Sequence, residues 1–357
     1  MATSADYRLG EYAFPRGWFA VANADEAQRR PRTLHYFGQD MVLYRGESGR
    51  VVLLDAYCPH MGTHLGSGEH SATTTSDHFM EGDAIRCPFH AWRFGPDGVC
   101  NHIPYHDGPI PPQARVKSWP VEERYGVVFA WHDPEGQQPD YPVPAFAEWD
   151  APGAVQWQGL EYLCDLNHPI EILDNMSDVA HLDHLHGSSV LSYENEVEGH
   201  ILHQRQSSAT AGVPDLMGPS LTTLAGYVGP GIAFGRFVEL QALQLICVTP
   251  IEDGTCRLWQ TALVIPPAGM DSAAARQFRD ALSRQFGEGL MRDAEVWRMK
   301  KPALQVMQLP SDGPFRQSRV WYSQFYNPRE KAAEIVRRVA GKHYAKGMPP
   351  FESTAAA

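Results

Sequence analysis

The sequence predicts an α+β chain in two parts: an N-terminal all-β portion, then a C-terminal portion that combines an antiparallel sheet with helices. Three observations predict it. First, compact apolar runs, Val51–Tyr57 and Gly126–Trp131, stand between segments dense in Gly, Pro, His and Asp, the pattern of short strands joined by loops. Second, the Pro-rich stretch Pro134 to Pro152 has no periodicity and reads as a linker, with 141–152 as its core. Third, the chain beyond it mixes helical spacing with strand-like runs between Thr222 and Val264. The expected division is 1–140, linker 141–152, a second domain 153–345 and a tail 346–357.

In the second portion, Pro169 to His186 carries Ile172, Met176 and Val179 at helical spacing, with Pro169 suited to a first turn. Asp271 and Ser272 can cap a helix bearing Phe278, Leu282 and Phe286 on one face. Gly287 and Gly289 are expected to interrupt it before a second piece, Leu290 to Lys300. Arg319–Tyr326, rich in aromatic residues, reads as a late strand. The end of the chain, Pro349 to Ala357, reads as a frayed tail.

Composition excludes several function classes. With 357 residues, 43% hydrophobic and 20% charged, the chain can bury two ordinary cores. A formal net charge of −12 argues against nucleic acid. No apolar run is long enough to span a bilayer, and Met1 to Gly10 carries no export signal, so a cytoplasmic location is expected. Six cysteines in that setting point to metal ligation rather than a disulfide framework.

Two of those cysteines sit in mixed pairs: Cys58-Pro59-His60 and Cys87-Pro88-Phe89-His90. Four ligands, two thiolates and two imidazoles, suit a two-iron cluster of the Rieske type, in which two His replace two Cys on one iron and raise the potential. Ordinary core thiols with surface histidines are the bland alternative, and two pairs each preceded by an apolar run argue against it. Zinc also takes two Cys and two His, but such sites group like with like. Cys100, Cys164, Cys247 and Cys256 read as buried thiols without chemistry.

The segments Cys58–Gly62 and Cys87–Trp92 match the Rieske signature, CxHMG then CPxHxW, and the chain resembles the oxygenase components of Rieske non-haem iron oxygenases. Neither loop has the additional cysteine of respiratory Rieske proteins. Twenty-six residues, Met61 to Arg86, separate the halves, a gap longer than usual, whose surplus falls in the polar stretch Glu69–Phe79. Further on, Asn175 to His186 resembles the family's mononuclear iron motif, DNxxDxxHxxxxH. The resemblance implies His181 and His186 as ligands of Fe(II), with Asn175 beside it. Five residues turn a regular helix by about 140°, so both rings reach one ion only if the helix bends or ends near Gly187. His184, three residues from His181, competes for the second place. The resemblance implies an Asp in the segment Gly289–Trp297 as the third ligand, and Asp293 shares a helical face with Leu290 and Trp297.

The resemblance further implies a Rieske domain followed by a helix-grip catalytic domain, and a head-to-tail homotrimer. In it Asp178 bridges cluster ligand His90 of one subunit and iron ligand His181 of the next, as the inter-subunit route for electron transfer. No nicotinamide or flavin motif is evident, so electrons come from a separate NAD(P)H-dependent reductase or ferredoxin. FPRGWFAV, LDAYCPHMG, CPFHAWRFGPDGVCNHIPY and DGPFRQSRVWYSQFY resemble 3-ketosteroid 9α-hydroxylase oxygenase components, and sterol desaturases of the same branch. That implies a monooxygenase acting with O2 on a bulky apolar, steroid-like substrate. Residues between Val190 and Ile246 are expected to line its pocket, including Gly212–Gly218, Leu221–Leu224 and Tyr227–Phe237. Other outcomes on the same metals are desaturation, oxidative demethylation and aromatic dihydroxylation. A Rieske electron carrier with a lipid-binding domain is the alternative of another class.

Overall fold

The computed structural model describes residues 1–67, 79–210 and 220–352. They form two compact units. The polar stretch Glu69–Phe79, but for Phe79, and the pocket segment Gly212–Gly218 lie outside the described residues.

The smaller unit is Phe19–His132 with Gln138–Tyr141. Its regular elements are almost all strands: β1 (Gly17–Asn23), β2 (Arg32–Tyr36), β3 (Gln39–Arg45), β4 (Val51–Asp55), β5 (Met80–Glu81), β6 (Ala84–Arg86), β7 (Arg93–Phe94), β8 (Cys100–His102), β9 (Val121–Arg124) and β10 (Val127–His132). They pair as three sheets, β1-β10-β9, β2-β3-β4 and β5-β6-β7-β8. Val42, Tyr44, Val52, Leu54, Ile85 and Phe94 pack into one core that also takes in Cys58 and Cys87. Burial of these apolar side chains holds the two Cys/His loops at the core's edge.

The larger unit is Met1–Trp18, Asp133–Gln137 and the described chain from Pro142 onward. It is built on an eight-stranded antiparallel sheet of β11 (Glu161–Leu166), β12 (Ser188–Glu198), β13 (Ile201–Thr210), β14 (Ser220–Val228), β15 (Ile232–Phe237), β16 (Ala242–Pro250), β17 (Cys256–Val264) and β18 (Gly341–His343). Their order is β11-β17-β16-β15-β14-β13-β12-β18. With the helices α1 (Ile170–Leu173), α2 (Ala180–His186), α3 (Ser272–Met299), α4 (Phe315–Ser323) and α5 (Arg329–Arg337), the unit is the sheet-and-helix half of an α+β chain, as the sequence predicts.

Several local expectations are corrected. The 28-residue α3 runs unbroken through Gly287 and Gly289. Asp271 caps it, accepting from the N–H of Ala273 at 2.8 Å and of Ala274 at 2.9 Å. Each glycine costs about 1 kcal/mol in a helix, but Gly287 lies on the packed face, where a Cβ would stand 3.3 Å from Gln260 Nε2. Cys164, Leu258, Ala294 and Trp297 pack together below it, and Phe237 stacks on Phe286 at 4.5 Å. Arg319–Tyr326 is not a strand. It is the end of α4 followed by a 3-10 turn, Gln324–Tyr326. Phe315, Ser318, Trp321, Tyr322 and Phe325 are buried at helical intervals, so period outweighs β propensity. The stretch from Pro169 to His186 is three pieces: α1, a 3-10 turn Asp174–Met176, and α2.

The expected linker is fastened down. Glu148 pairs with Arg236, and Phe146 lies edge-on to Phe234 at 5.9 Å. The tail is tied as far as Pro349, whose carbonyl accepts from Tyr193 N–H at 3.1 Å. The first eighteen residues group with this larger unit rather than with the β unit. The N–H of Tyr12 donates to Tyr326 O and that of Arg16 to Phe325 O, at 3.0 and 2.8 Å. A chain of bonds joins Ser4 to buried His168. Ile170 N–H donates to His168 Nδ1 at 3.1 Å, His168 Nε2 lies 3.0 Å from Ser4 Oγ, and that hydroxyl donates to Ala13 O at 2.8 Å. The neutral ring satisfies every bond in this chain, and a second ring proton would face the Ile170 N–H. Burial, followed by the charge of Arg319, holds the His168 pKa down at about 3.

Unfolded histidine titrates near 6.5, so the unfolded chain takes up a proton that folded His168 refuses until about pH 3. Stability is therefore complete above pH 6.5 and falls as the pH drops below it. The slope from this one group reaches about 1.4 kcal/mol per pH unit. Denaturant titrations from pH 8 to pH 4 should show a flatter profile for His168→Gln than for the parent.

Candidate metal centres

The two Cys/His loops of the smaller unit share one backbone plan. Gly62 N–H donates to Cys58 O at 2.9 Å, and Cys58 N–H donates to Thr63 O at 2.9 Å. Ala91 N–H donates to Cys87 O at 3.0 Å, and Cys87 N–H donates to Trp92 O at 2.8 Å. The fifth residue of each loop is left-handed: Gly62 at φ 72° and Ala91 at φ 56°. Glycine takes that conformation freely, whereas alanine accepts a cost of about 1–2 kcal/mol. Two matching loops thus present two thiols and two imidazoles to one place.

The thiols are buried, and their interaction is seen in their acidity. The Cys58 thiol shares its proton with Cys87, which with burial pushes Cys58 up. The same bond, helped by the N–H groups of Phe89 and His90, brings Cys87 down to about 6 despite burial. The rings of His60 and His90 lie 4.7 Å apart, and Trp92 stacks on His60 at 4.6 Å. Trp92 in turn donates through Nε1 to Tyr105 OH at 2.7 Å. His90 Nδ1 is buried without a hydrogen-bond partner among the described residues. An orphaned ring nitrogen beside paired thiols is the condition a ligand position requires. The donor set therefore fits a [2Fe–2S] cluster.

In the larger unit, His181, His186 and Asp293 converge. One ligand atom from each lies within 4.8 Å of the other two. Nε2 of His186 and of His181 stand 3.1 and 3.9 Å from Asp293 Oδ1. The rings meet edge to face at 5.3 Å. Asp293 comes from α3, 107 residues beyond His186, and is only 4% exposed. The spacing of five is accommodated because α2 is short. His181 is its second residue and His186 its last, and Gly187 closes it at φ 65°. His184, the competing candidate, is exposed and outside the triad.

The neighbours fix ring orientation. His181 Nδ1 donates to Asp178 O at 2.5 Å, which leaves Nε2 for the site. Asp178 Oδ1 accepts the His181 backbone N–H at 3.2 Å. Burial opposes charge on both groups, but the pairing outweighs it: His181 is raised and Asp178 lowered from their ordinary ranges. Asn175 is half-buried in the 3-10 turn and lines, with Asp178, His181 and Asp293, a cavity of about 240 Å³. Two imidazoles and one carboxylate, with space on one side, form the donor set of a non-haem ferrous site.

Sequence reasoning missed the support beneath this centre. The carbonyl of Met176, where the chain breaks between α1 and α2, accepts from Tyr193 OH at 2.8 Å, Gln204 Nε2 at 2.8 Å and Asn195 Nδ2 at 3.3 Å. Ser177 Oγ bonds Ser318 Oγ at 2.6 Å. Gly313 passes so close that a Cβ would fall 1.9 Å from Ser177 O. Behind the cavity, Arg319 Nε donates to Asp174 at 2.9 Å, and buried Glu171 pairs with Lys300 and with Tyr7 OH. Asp174 stands directly before Asn175 in the motif, which was the one available signal.

Known proteins share this architecture. The model of the 3-ketosteroid 9alpha-hydroxylase C-terminal domain matches residues 130–326, and that of the Rieske [2Fe-2S] domain matches residues 17–120. The 3-ketosteroid-9-alpha-monooxygenase oxygenase component of Mycolicibacterium smegmatis is 31% identical over 330 residues, covering 88% of this chain and 82% of its own. The probable counterpart from Rhodococcus rhodochrous is 33% identical over 345 residues, 91% of this chain and 83% of its own. Cholesterol 7-desaturase of Caenorhabditis elegans is 28% identical, covering 96% of this chain and 83% of its own. Among solved structures, dicamba monooxygenase bound to dicamba aligns at a TM-score of 0.63 and 17% identity, over 90% of this chain and 97% of that one. At that identity the likeness speaks for the fold alone.

Two outcomes test these geometries. Ala91→Gly should keep the visible cluster spectrum and gain up to about 1 kcal/mol, whereas Gly62→Val should lower cluster content. Tyr193→Phe combined with Gln204→Leu removes both short donors to Met176. Fe(II) affinity, measured by chelator competition, should fall roughly tenfold while cluster absorbance stays unchanged.

Proposed function

This chain belongs to the 3-ketosteroid 9α-hydroxylase family of Rieske oxygenases, and we propose that it inserts one oxygen atom from O2 into a C–H bond of a steroid-like polycycle. The convergence of His181, His186 and Asp293 in a chain about 30% identical to 3-ketosteroid monooxygenases carries this reading. Hydroxylation consumes one O2, two electrons and two protons, and releases one oxygen as water. When bound, the [2Fe–2S] cluster supplies electrons singly and the ferrous ion keeps open positions for O2.

Cys58, His60, Cys87 and His90 hold the cluster in this reading. His181, His186 and Asp293 hold the iron, and Asn175 borders it. Asp178 holds His181 by its backbone carbonyl and keeps its own carboxylate 40% exposed, available to His90 of a neighbouring subunit in a homotrimer. Electrons enter from a separate NAD(P)H-dependent reductase or ferredoxin. Six buried cysteines, none of them in a disulfide, suit a cytoplasmic setting. Among the described residues no helix is long and apolar enough to cross a membrane.

Desaturation is the second reading, favoured by the likeness to cholesterol 7-desaturase. Turnover of a 3-ketosteroid with a matched reductase and labelled O2 separates the two. Hydroxylation puts one labelled oxygen in the product, and desaturation yields an unlabelled alkene. Asp293→Ala should lose the lone iron and all turnover while keeping its two cluster irons. Asp178→Asn should keep both centres yet lose at least tenfold in turnover. A monomer by sedimentation would remove the inter-subunit route.

A further inference from the structure

The inner face of β13 departs from the usual pattern. Buried and half-buried residues alternate strictly along the strand, and the buried set is Leu202, Gln204, Gln206 and Ser208. A strand with one face in a core normally carries apolar residues there. The register of β13 against β14 is unbroken from Ile201 to Ala209, so all four side chains share one face. Gln204 spends its amide on Met176 O. Gln206 Oε1 and Ser208 Oγ are buried, and neither has a hydrogen-bond partner among the described residues. Buried polar atoms left bare are destabilising, and a Met or Ala in their place would remove the cost. A ligand that meets both atoms would remove that cost as well.

Their place in the fold says which ligand. Met176, just before α2, sits over Gln204, and the chain leaves α2 at Ser188, which pairs with Thr210. The stretch of β13 between those two points holds Gln206 and Ser208, and its neighbour β12 packs against the helix that carries His181 and His186. Opposite Gln206 stand Thr223 on β14 and Tyr193 on β12. Alternate residues of a strand are about 7 Å apart, a span that one group between the two side chains closes.

We propose that Gln206 and Ser208 form a specificity subsite for a hydroxyl group on the polycyclic substrate, an inference that rests on the reading of the lone-metal centre given above. A hydroxyl donates to Gln206 Oε1 and accepts from Ser208 Oγ–H, satisfying both. A ketone only accepts. It meets Ser208 and leaves the Gln206 carbonyl bare. The subsite therefore favours an alcohol over the corresponding ketone.

Calorimetric titration of the anaerobic holoenzyme tests this with three probes: a steroid diketone and the two monoalcohols made by reducing either ketone. One monoalcohol should bind about tenfold tighter than the diketone. Gln206→Met should erase that preference, keep diketone affinity within about twofold, and leave the thermal midpoint equal or higher, whereas Ser208→Ala should weaken alcohol and diketone alike and keep the preference. Equal binding of all three probes by the parent, or an undiminished preference in Gln206→Met, overturns the subsite and leaves the atoms to bridging water. Binding of none of the probes, with both metal centres loaded, is a different failure: it overturns the steroid reading and this inference with it.

Discussion

Two imidazoles five residues apart must face one point, and a regular helix cannot arrange that. Most of the catalytic half follows from this constraint. The helix that carries them must be short, must begin abruptly and must end at once. It begins after a 3-10 turn and ends on left-handed Gly187. Breaking a helix exposes backbone groups, and here the break is buried. The freed Met176 carbonyl is met by three side chains from β12 and β13. The large antiparallel sheet is thus a platform for an irregular segment that could not persist alone.

The same logic governs the smaller unit at lower cost. Short strands need little chain to build a core, and the two Cys/His loops hang from its edge with matched hydrogen bonds and matched left-handed turns. The thiols lie inside the apolar core and His60 lies outside it. These loops would hold a [2Fe–2S] cluster with its thiolates in the dry core and its imidazoles toward solvent. Dry surroundings raise the cost of charge, and an exposed imidazole edge would give electrons a short path.

Electrostatics near the lone-metal centre is arranged by pairing rather than exposure. Asp174 answers Arg319, Glu171 answers Lys300, and Asp178 answers His181. Pairing of this kind leaves Asp293 as the carboxylate placed between the two rings. The polar face of β13 continues the theme: Gln204 has an internal partner, and its two neighbours along the strand wait for one. The protein thus uses one strand both to fix the metal helix and, in the inference above, to read its substrate.

Much of the site was legible because ligands came in local groups. Cys58 with His60, Cys87 with His90, and His181 with His186 are set by spacing, and spacing survives without knowledge of the fold. Sheet strands between Thr222 and Val264 announced themselves by long apolar runs. Errors arose where tertiary packing outweighed local preference. Gly287 sits in a continuous helix because its missing side chain makes room for Gln260, and the aromatic segment after Arg319 is helical because its buried residues recur at three and four. The sequence left His184 as a rival to His186 and placed Asp293 only by resemblance; the tertiary structure brings Asp293 to His181 and His186 across 107 residues, leaves His184 outside, and builds the cradle under Met176. The physical reason is range. Sequence spacing dictates which donors a single turn can offer, whereas only a folded sheet and a helix laid across it bring distant donors within one coordination sphere.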